Sequence, residues 1–243
     1  MDKANRPHIF CHMETSLDGK IMGKYLWIEE TNAKEDSFYT LFAGPKAYFK
    51  PQALLNGRTT IEDNFTLYKT PAVDETAEPV PAGDFLADDG KTGFYLIVTD
   101  SKGRVAWKME GCSKTSTAMK KPGRRSPVGT GDECYKAYLR DKGVSYLICG
   151  KDSIDLELTC RKLKDVLHLD SVMLGGGGAI NWSFLQQGLC DEVSVSSRRL
   201  PTAVPIRRPY SWPVPVSPTT SPSSFPSKTV RSWMTARFGC AMT

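Results

Sequence analysis

The chain has 243 residues, with 32 Lys and Arg against 27 Asp and Glu and a formal net charge of +5. That charge is unevenly placed: residues 196–243 hold seven Lys and Arg and no acid, so residues 1–195 carry 25 basic against 27 acidic side chains, a net of −2. The overall basicity therefore gives residues 1–195 no case for binding nucleic acid or a membrane surface, and with no long apolar stretch the cytoplasm is the expected location.

Residues 1–195 suffice for one large domain with a proper core. His8-Ile-Phe-Cys-His-Met13 reads as a first strand. It leads into Thr15-Ser16-Leu17-Asp18-Gly19-Lys20-Ile21, a turn with Asp-Gly at its tip. Residues 31–42 predict a helix with Phe38, Leu41 and Phe42 on one face. Residues 53–57 form a second short apolar run ending in Gly57. Thr59-Thr60-Ile61-Glu62 then has the T-x-x-E pattern of a capping box, so a helix is predicted to begin there.

Residues 70–92, rich in proline and acid, read as a surface loop. Residues 94–99 are a strand, followed by the turn Asp100-Ser101-Lys-Gly-Arg104. Residues 119–131 are basic, rich in Pro and Gly, and without a hydrophobic period. Residues 135–142 predict a helix stopped by Gly143, and 144–149 another strand. Residues 156–167 place Leu156, Cys160, Leu163, Val166 and Leu167 at helical spacing.

Next come a short strand centred on Val172-Met173-Leu174, a turn of four glycines (Gly175, Gly176, Gly177 and Gly178), and a helix with Ile180, Phe184 and Leu185 on one side. Gly188 suits the left-handed position after its last turn. A turn without side chains that opens into a helix N-terminus lets a phosphate reach bare N–H groups, although glycines also serve tight turns and close packing. Asp191 to Val195 begin one more strand. Strands alternating with helices imply an α/β fold with a mostly parallel central sheet, helices on both faces and ligands at the strands' carboxyl ends. Cys11, Cys112, Cys134, Cys149, Cys160 and Cys190 show no zinc-type spacing and read as buried reduced thiols, so no metal is expected.

Three segments together resemble one family: Thr15-Ser-Leu-Asp-Gly-Lys-Ile21, Leu55-Asn-Gly-Arg-Thr-Thr60, and Leu174 through Asn181 with Gly188-Leu-Cys-Asp-Glu192. In order and spacing, across residues 7–195, they are similar to the dihydrofolate-reductase-like pyrimidine reductases, relatives of the C-terminal domain of the bifunctional riboflavin-biosynthesis deaminase-reductase. The resemblance implies NADPH as cofactor and hydride transfer to a pyrimidine- or pterin-like ring. It assigns cofactor phosphate contacts to Gly57, Arg58, Thr59 and Thr60, the adenosine half to Asp100 and Ser101, and the diphosphate to residues 175–178 beside Asn181. Ser16 and Asp18 would face nicotinamide and substrate, with Asp18 orienting the ring or relaying a proton. His12, with Asn181, is a candidate substrate contact. The residues alone also allow a surface arginine at 58, a helix cap at 59, plain turns at Asp18 and Asp100, and a packed histidine at 12. The expected partner is a small-molecule substrate; family members often pair, so a homodimer is the assembly the resemblance suggests. Leu174 and Glu14 depart from the usual pattern, so the resemblance points to a substrate class rather than a compound. The zinc signature of the deaminase half has no counterpart here.

The tail breaks the pattern. Residues 196–243 contain eight of the 16 prolines and no acid, a composition expected to be disordered and to leave the fold without its closing strands. A shifted reading frame explains the break. The codons of Trp233-Met234-Thr235, read from the third letter of TGG, give Asp-Asp whatever the last base. Suitable codons for residues 228–243 in that frame give D-G-A-V-L-D-D-G-A-V-W-L-R-Y-D, a strand, a D-D-G turn and a strand. Residues 206–213 treated likewise permit D-T-P-T-L-F-M-A.

Overall fold

The apolar runs of the sequence assemble into one sheet. The computed structural model describes residues 1–16, 18–23, 41–42, 47–87, 93–107, 114–119, 132–151 and 153–197. Its strands are β1 (His8–Thr15), β2 (Ala53–Gly57), β3 (Tyr95–Thr99), β4 (Lys114–Met119), β5 (Ser145–Ile148), β6 (Ser171–Gly176) and β7 (Glu192–Ser197). They lie in the order β5-β4-β3-β2-β6-β1-β7, and every neighbouring pair is parallel. The helices are α1 (Arg58–Ile61), continued by a π turn at Glu62–Thr66, then α2 (Asp132–Asp141), α3 (Leu156–Asp165) and α4 (Gly178–Gln186). The dihydrofolate-reductase-like α/β expectation holds.

Alternation along the strands sends side chains to two cores. On one face Ile9, Cys11, Leu55, Ile97, Val172 and Leu174 pack against Leu156, Cys160 and Leu163 of α3 and Phe184 of α4. On the other, Leu96, Val98 and Tyr146 meet Ile61 of α1 and Tyr135, Tyr138 and Leu139 of α2. Helices therefore cover both faces, as a parallel sheet requires. Ile180 and Leu185 join the first core, and Gly188 takes its expected left-handed conformation at φ 66°.

Three expectations change. β4 was not foreseen, because Lys-Thr-Ser-Thr-Ala-Met lacks an apolar run; backbone pairing to both β3 and β5 defines it. β7 runs two residues past the expected boundary at 195, since Ser196 and Ser197 pair with Glu14 and Thr15. The third concerns the capping box and is taken up with the site. The helix predicted at 31–42 lies outside the described residues except for Leu41 and Phe42, as do residues 120–131 and everything beyond Ser197. By proximity the chain divides into Met1–Pro209 and Tyr210–Thr243.

A buried ion cluster fastens the ends of two strands. Arg6 forks onto Asp191, with Nη1 2.5 Å from Oδ2 and Nη2 2.8 Å from Oδ1. Lys3 Nζ lies 2.7 Å from the same carboxylate, and the Ile9 N–H donates to it at 3.0 Å. The starts of β1 and β7 are thereby pinned together. Among the described residues β7 pairs on its β1 side only, and Val193 and Val195 are 47% and 60% exposed.

Candidate functional site

The carboxyl ends of β2 and β6 lie side by side, with Asn56 opposite Gly176. This adjacency joins two motifs that lie more than a hundred residues apart in the chain. A β-carbon placed on Gly57 would sit 3.5 Å from Ile180 Cγ2 and 3.8 Å from the Gly177 nitrogen; one on Gly177 would sit 3.3 Å from Thr60 Oγ1. The third motif reaches the same place: Ile21 Cδ1 lies 3.6 Å from the β-carbon position of Gly178.

The N-caps of α1 and α4 are Gly57 and Gly177, and neither end has a side-chain cap. The expected capping box is therefore not formed. The helix starts at Arg58 rather than at Thr59, and Glu62 bonds to the Arg58 guanidinium four residues earlier instead of turning back to the backbone. That hydrogen bond raises the Arg58 pKa further above its already high value. Two helix starts thus meet with their first N–H groups free of side-chain caps, flanked by a permanent cation. Such a place attracts anions.

The four glycines have different reasons to be glycine. At Gly175 a β-carbon would lie 2.5 Å from Leu54 Cδ1 and 2.7 Å from Asn56 Oδ1, so this position serves packing and offers a ligand no space. Gly176 has φ 106°, which side-chain-bearing residues rarely adopt, and the Gly176–Gly177 peptide is cis. Gly177 and Gly178 face the Thr60 and Ile21 side and form the open part of the turn. Gly175→Ala is expected to destabilise the fold by about 1–3 kcal/mol through overpacking, read by thermal unfolding, whereas Gly178→Ala leaves the midpoint unchanged.

Ser16 and Asp18 organise the neighbouring turn. The Ser16 hydroxyl donates to Asp18 Oδ1 at 2.5 Å and accepts from the Lys20 N–H at 3.0 Å. Lys20 Nζ pairs with the other Asp18 oxygen, and Gly19 closes the turn at φ 78°. Ser16 is buried and Asp18 exposed.

Asp100 does not match its expected role. It is fully buried and accepts the backbone N–H groups of Arg104 (2.7 Å), Val105 (2.9 Å) and Lys102 (3.3 Å), with the Tyr135 hydroxyl 3.3 Å away. Its carboxylate builds the loop after β3 and has no surface to offer adenosine; Ser101 beside it is exposed. His12 is likewise fully buried. Its Nδ1 is hydrogen-bonded to Ser194 Oγ at 3.0 Å, and its ring packs near Phe42 and Phe49. This is the packed histidine, not a side chain presented to a substrate.

Asn181 is 5% exposed, with no partner for Oδ1; Asn56 is 2% exposed, with none for Nδ2. Unpaired buried polar atoms are costly, and these two belong to the strand end and helix that build the glycine turn. Sequence reasoning missed Asn56, although a polar residue closing the apolar run Ala-Leu-Leu-Asn was the available signal. It also missed Glu62 as the Arg58 counter-ion. Burial pushes the Cys11 and Cys160 thiols up to about 12 and Cys149 to about 11, which keeps these three protonated, whereas Cys134 is only partly buried and Cys112 lies outside the described residues. Among the described residues no helix is long and apolar enough to cross a membrane.

Solved structures with related architecture include a pyrimidine reductase-like protein from Corynebacterium diphtheriae (15% identity, 84% of this chain, 80% of that chain, TM-score 0.50). Another is the riboflavin biosynthesis reductase Rib7 of Saccharomyces cerevisiae (14% identity, 83% and 77% covered, TM-score 0.48). A third is a diaminohydroxyphosphoribosylaminopyrimidine deaminase/5-amino-6-(5-phosphoribosylamino)uracil reductase from Thermotoga maritima (15% identity, TM-score 0.43), where the match covers 83% of this chain and 47% of the longer protein. At 15% identity the likeness to the Corynebacterium diphtheriae protein concerns the fold alone. The family model for the RibD C-terminal domain matches residues 7–197, ending with the last residue of β7. The chain belongs to the RibD C-terminal domain family, a family of reductase domains.

Proposed function

We propose that this chain binds NADPH and reduces a pyrimidine- or pterin-like ring, a reaction of the kind carried out by 5-amino-6-(5-phosphoribosylamino)uracil reductases. The observation that carries this reading is the meeting of two helix starts without side-chain caps, at Gly57 and Gly177, beside Arg58. The N–H groups of Gly178 and its successors suit a diphosphate, and Arg58 with the Thr59 and Thr60 hydroxyls suits a 2′-phosphate. Asn181 Oδ1 and Asn56 Nδ2 are buried without hydrogen-bond partners, in the helix and at the strand end that build the glycine turn. The nicotinamide supplies the hydride when bound, so the protein needs no nucleophile or metal.

The chain's own residues position and protonate. The Ser16 hydroxyl and Lys20 ammonium hold the Asp18 carboxylate at the turn leading to Ile21, which borders the glycine cradle. From there Asp18 can orient a ring N–H or relay a proton to the reduced substrate. Asp18→Asn is expected to lower kcat about a hundredfold while leaving NADPH affinity unchanged. Cofactor consumption measured over pyrimidine and pterin substrates tests the proposal. A folded chain that neither binds NADPH nor consumes it with any of them overturns the reading.

A second reading has its own observation. The exposed valines of β7, at an edge of the sheet paired on its β1 side only among the described residues, favour a chain that binds cofactor and turns over little. Normal binding with negligible consumption identifies it.

A further inference from the structure

We propose that the outer edge of β5 is a peptide-binding groove that holds residues 84–87 of this chain as its resident ligand, and that the partner it fits is an extended segment carrying Asp followed by an aromatic residue. The proposal is independent of which cofactor or substrate the site takes.

The seat is built from backbone and side chains together. Gly83, at φ 100°, turns the chain onto the edge of β5 that β4 leaves free. Phe85 then makes a single antiparallel bridge with Tyr146: its N–H donates to the Tyr146 carbonyl at 2.9 Å, and its carbonyl accepts the Tyr146 N–H at 2.8 Å. Side chains take over where the bridge stops. Asp84 Oδ1 accepts the Ile148 N–H at 2.7 Å. Lys162 Nζ, on α3, donates to the Ile148 carbonyl at 3.0 Å and lies 2.8 Å from both Asp84 oxygens. The Ala87 N–H donates to Ser145 Oγ at 3.0 Å. The outward backbone groups of Tyr146 and Ile148 are thus all bonded, although the strap contributes only one bridge of strand.

Two side chains of the strap are read individually. Lys162 holds the acid, and the Arg140 guanidinium lies 4.4 Å from the centre of the Phe85 ring. Arg140 is fixed in turn, with Nε donating to the Tyr146 hydroxyl at 3.1 Å, and the Tyr146 ring is 5.7 Å from that of Phe85. The receiving groups therefore belong to α2, α3 and β5, while the occupant is a short segment between turns. Main-chain bonds to a sheet edge, with one acid and one ring each met by a cation, are the pattern by which an added strand is recognised. Asp84 and Lys162 are each 23% exposed and Leu86 46%, so a competing segment can reach the seat from solvent.

The test uses the full chain opened by Asp84→Ala with Phe85→Ala, and the labelled peptide Pro-Ala-Gly-Asp-Phe-Leu-Ala, which copies residues 81–87. Fluorescence anisotropy is expected to show saturable binding to the opened chain. Binding to the unmodified chain should be at least about tenfold weaker, because its own strap competes at high effective concentration. Replacing Asp by Ala in the peptide, or adding Lys162→Met to the opened chain, should each weaken binding about tenfold or more, as loss of a charged hydrogen bond does. A folded opened chain that does not bind the peptide overturns the proposal. So does equal binding by the opened and unmodified chains, or binding indifferent to the peptide's acid. If the opened chain fails to fold, hydrogen exchange on the unmodified chain decides. The Tyr146 and Ile148 amides should exchange together with those of Phe85 and Ala87, at least about tenfold faster than Leu147, which faces β4 by alternation. Outward amides no faster than Leu147 mean that the strap does not leave β5, and the proposal falls.

Discussion

Arg58→Ala is expected to weaken NADPH binding about ten- to a hundredfold and to leave NADH binding nearly unchanged, because only NADPH carries the 2′-phosphate that the guanidinium would hold. The range follows from the roughly 1.5–3 kcal/mol of a hydrogen bond to a charged group, at 1.4 kcal/mol per factor of ten. Structure supplies a second arm. Arg58 is engaged by the Glu62 carboxylate, so a 2′-phosphate has to compete with that carboxylate for the guanidinium. Glu62→Gln removes the competitor's charge and is expected to tighten NADPH binding several-fold, again without effect on NADH. Fluorescence titration with both cofactors checks the two variants together. Equal losses for NADPH and NADH in Arg58→Ala would mean that the side chain supports the fold instead of reading the phosphate.

The largest stability effect is expected at Asp191. Its side chain is 6% exposed and that of Arg6 2%, so Asp191→Asn leaves a buried guanidinium without its counter-charge. Breaking a buried pair from one side costs about 3 kcal/mol, which in a domain of this size lowers the unfolding midpoint by about 6–12 °C. Replacing both partners by apolar residues of similar volume should recover much of the loss. Burial alone would raise the Asp191 carboxyl; the Arg6 guanidinium, the Ile9 N–H and Lys3 outweigh it and hold the group well below the ordinary carboxylate range. A depressed folded pKa means the stabilisation is present above the unfolded value of about 4 and fades as pH falls below it. Urea titrations at falling pH should therefore show the present chain losing stability below about pH 4, and Asp191→Asn losing less over the same interval. An identical acid dependence in the two chains would remove the pair from the account.

Much of the fold was legible because its strands are short apolar runs between turns. Ala53 to Gly57 and Val172 to Leu174 sit in the middle of the sheet, where burial on both faces leaves the clearest trace in sequence. β4 was illegible for the opposite reason: it is a strand by backbone pairing, not by apolar content. In the site, the glycine turn and the Gly57–Thr60 segment are each visible as local patterns, but their contact across β2 and β6 is a matter of strand order that no local pattern contains. The same limit applies to Glu62. Its spacing from Thr59 fits a capping box and its spacing from Arg58 fits an i,i+4 ion pair, and only the start of the helix decides between them. Asp100 and His12 show a further limit. A polar residue after a strand, or within one, can serve a ligand or the fold, and the deciding fact is which N–H groups or hydroxyls already surround it.

Amide hydrogen exchange with and without NADPH tests the central claim most directly. Slowed exchange is expected at the start of α1, residues 58–61, and in the glycine turn and first turn of α4, residues 177–181, with β5 and α2 unaffected. Cofactor-induced protection elsewhere, with those two helix starts unchanged in a folded chain, would contradict it.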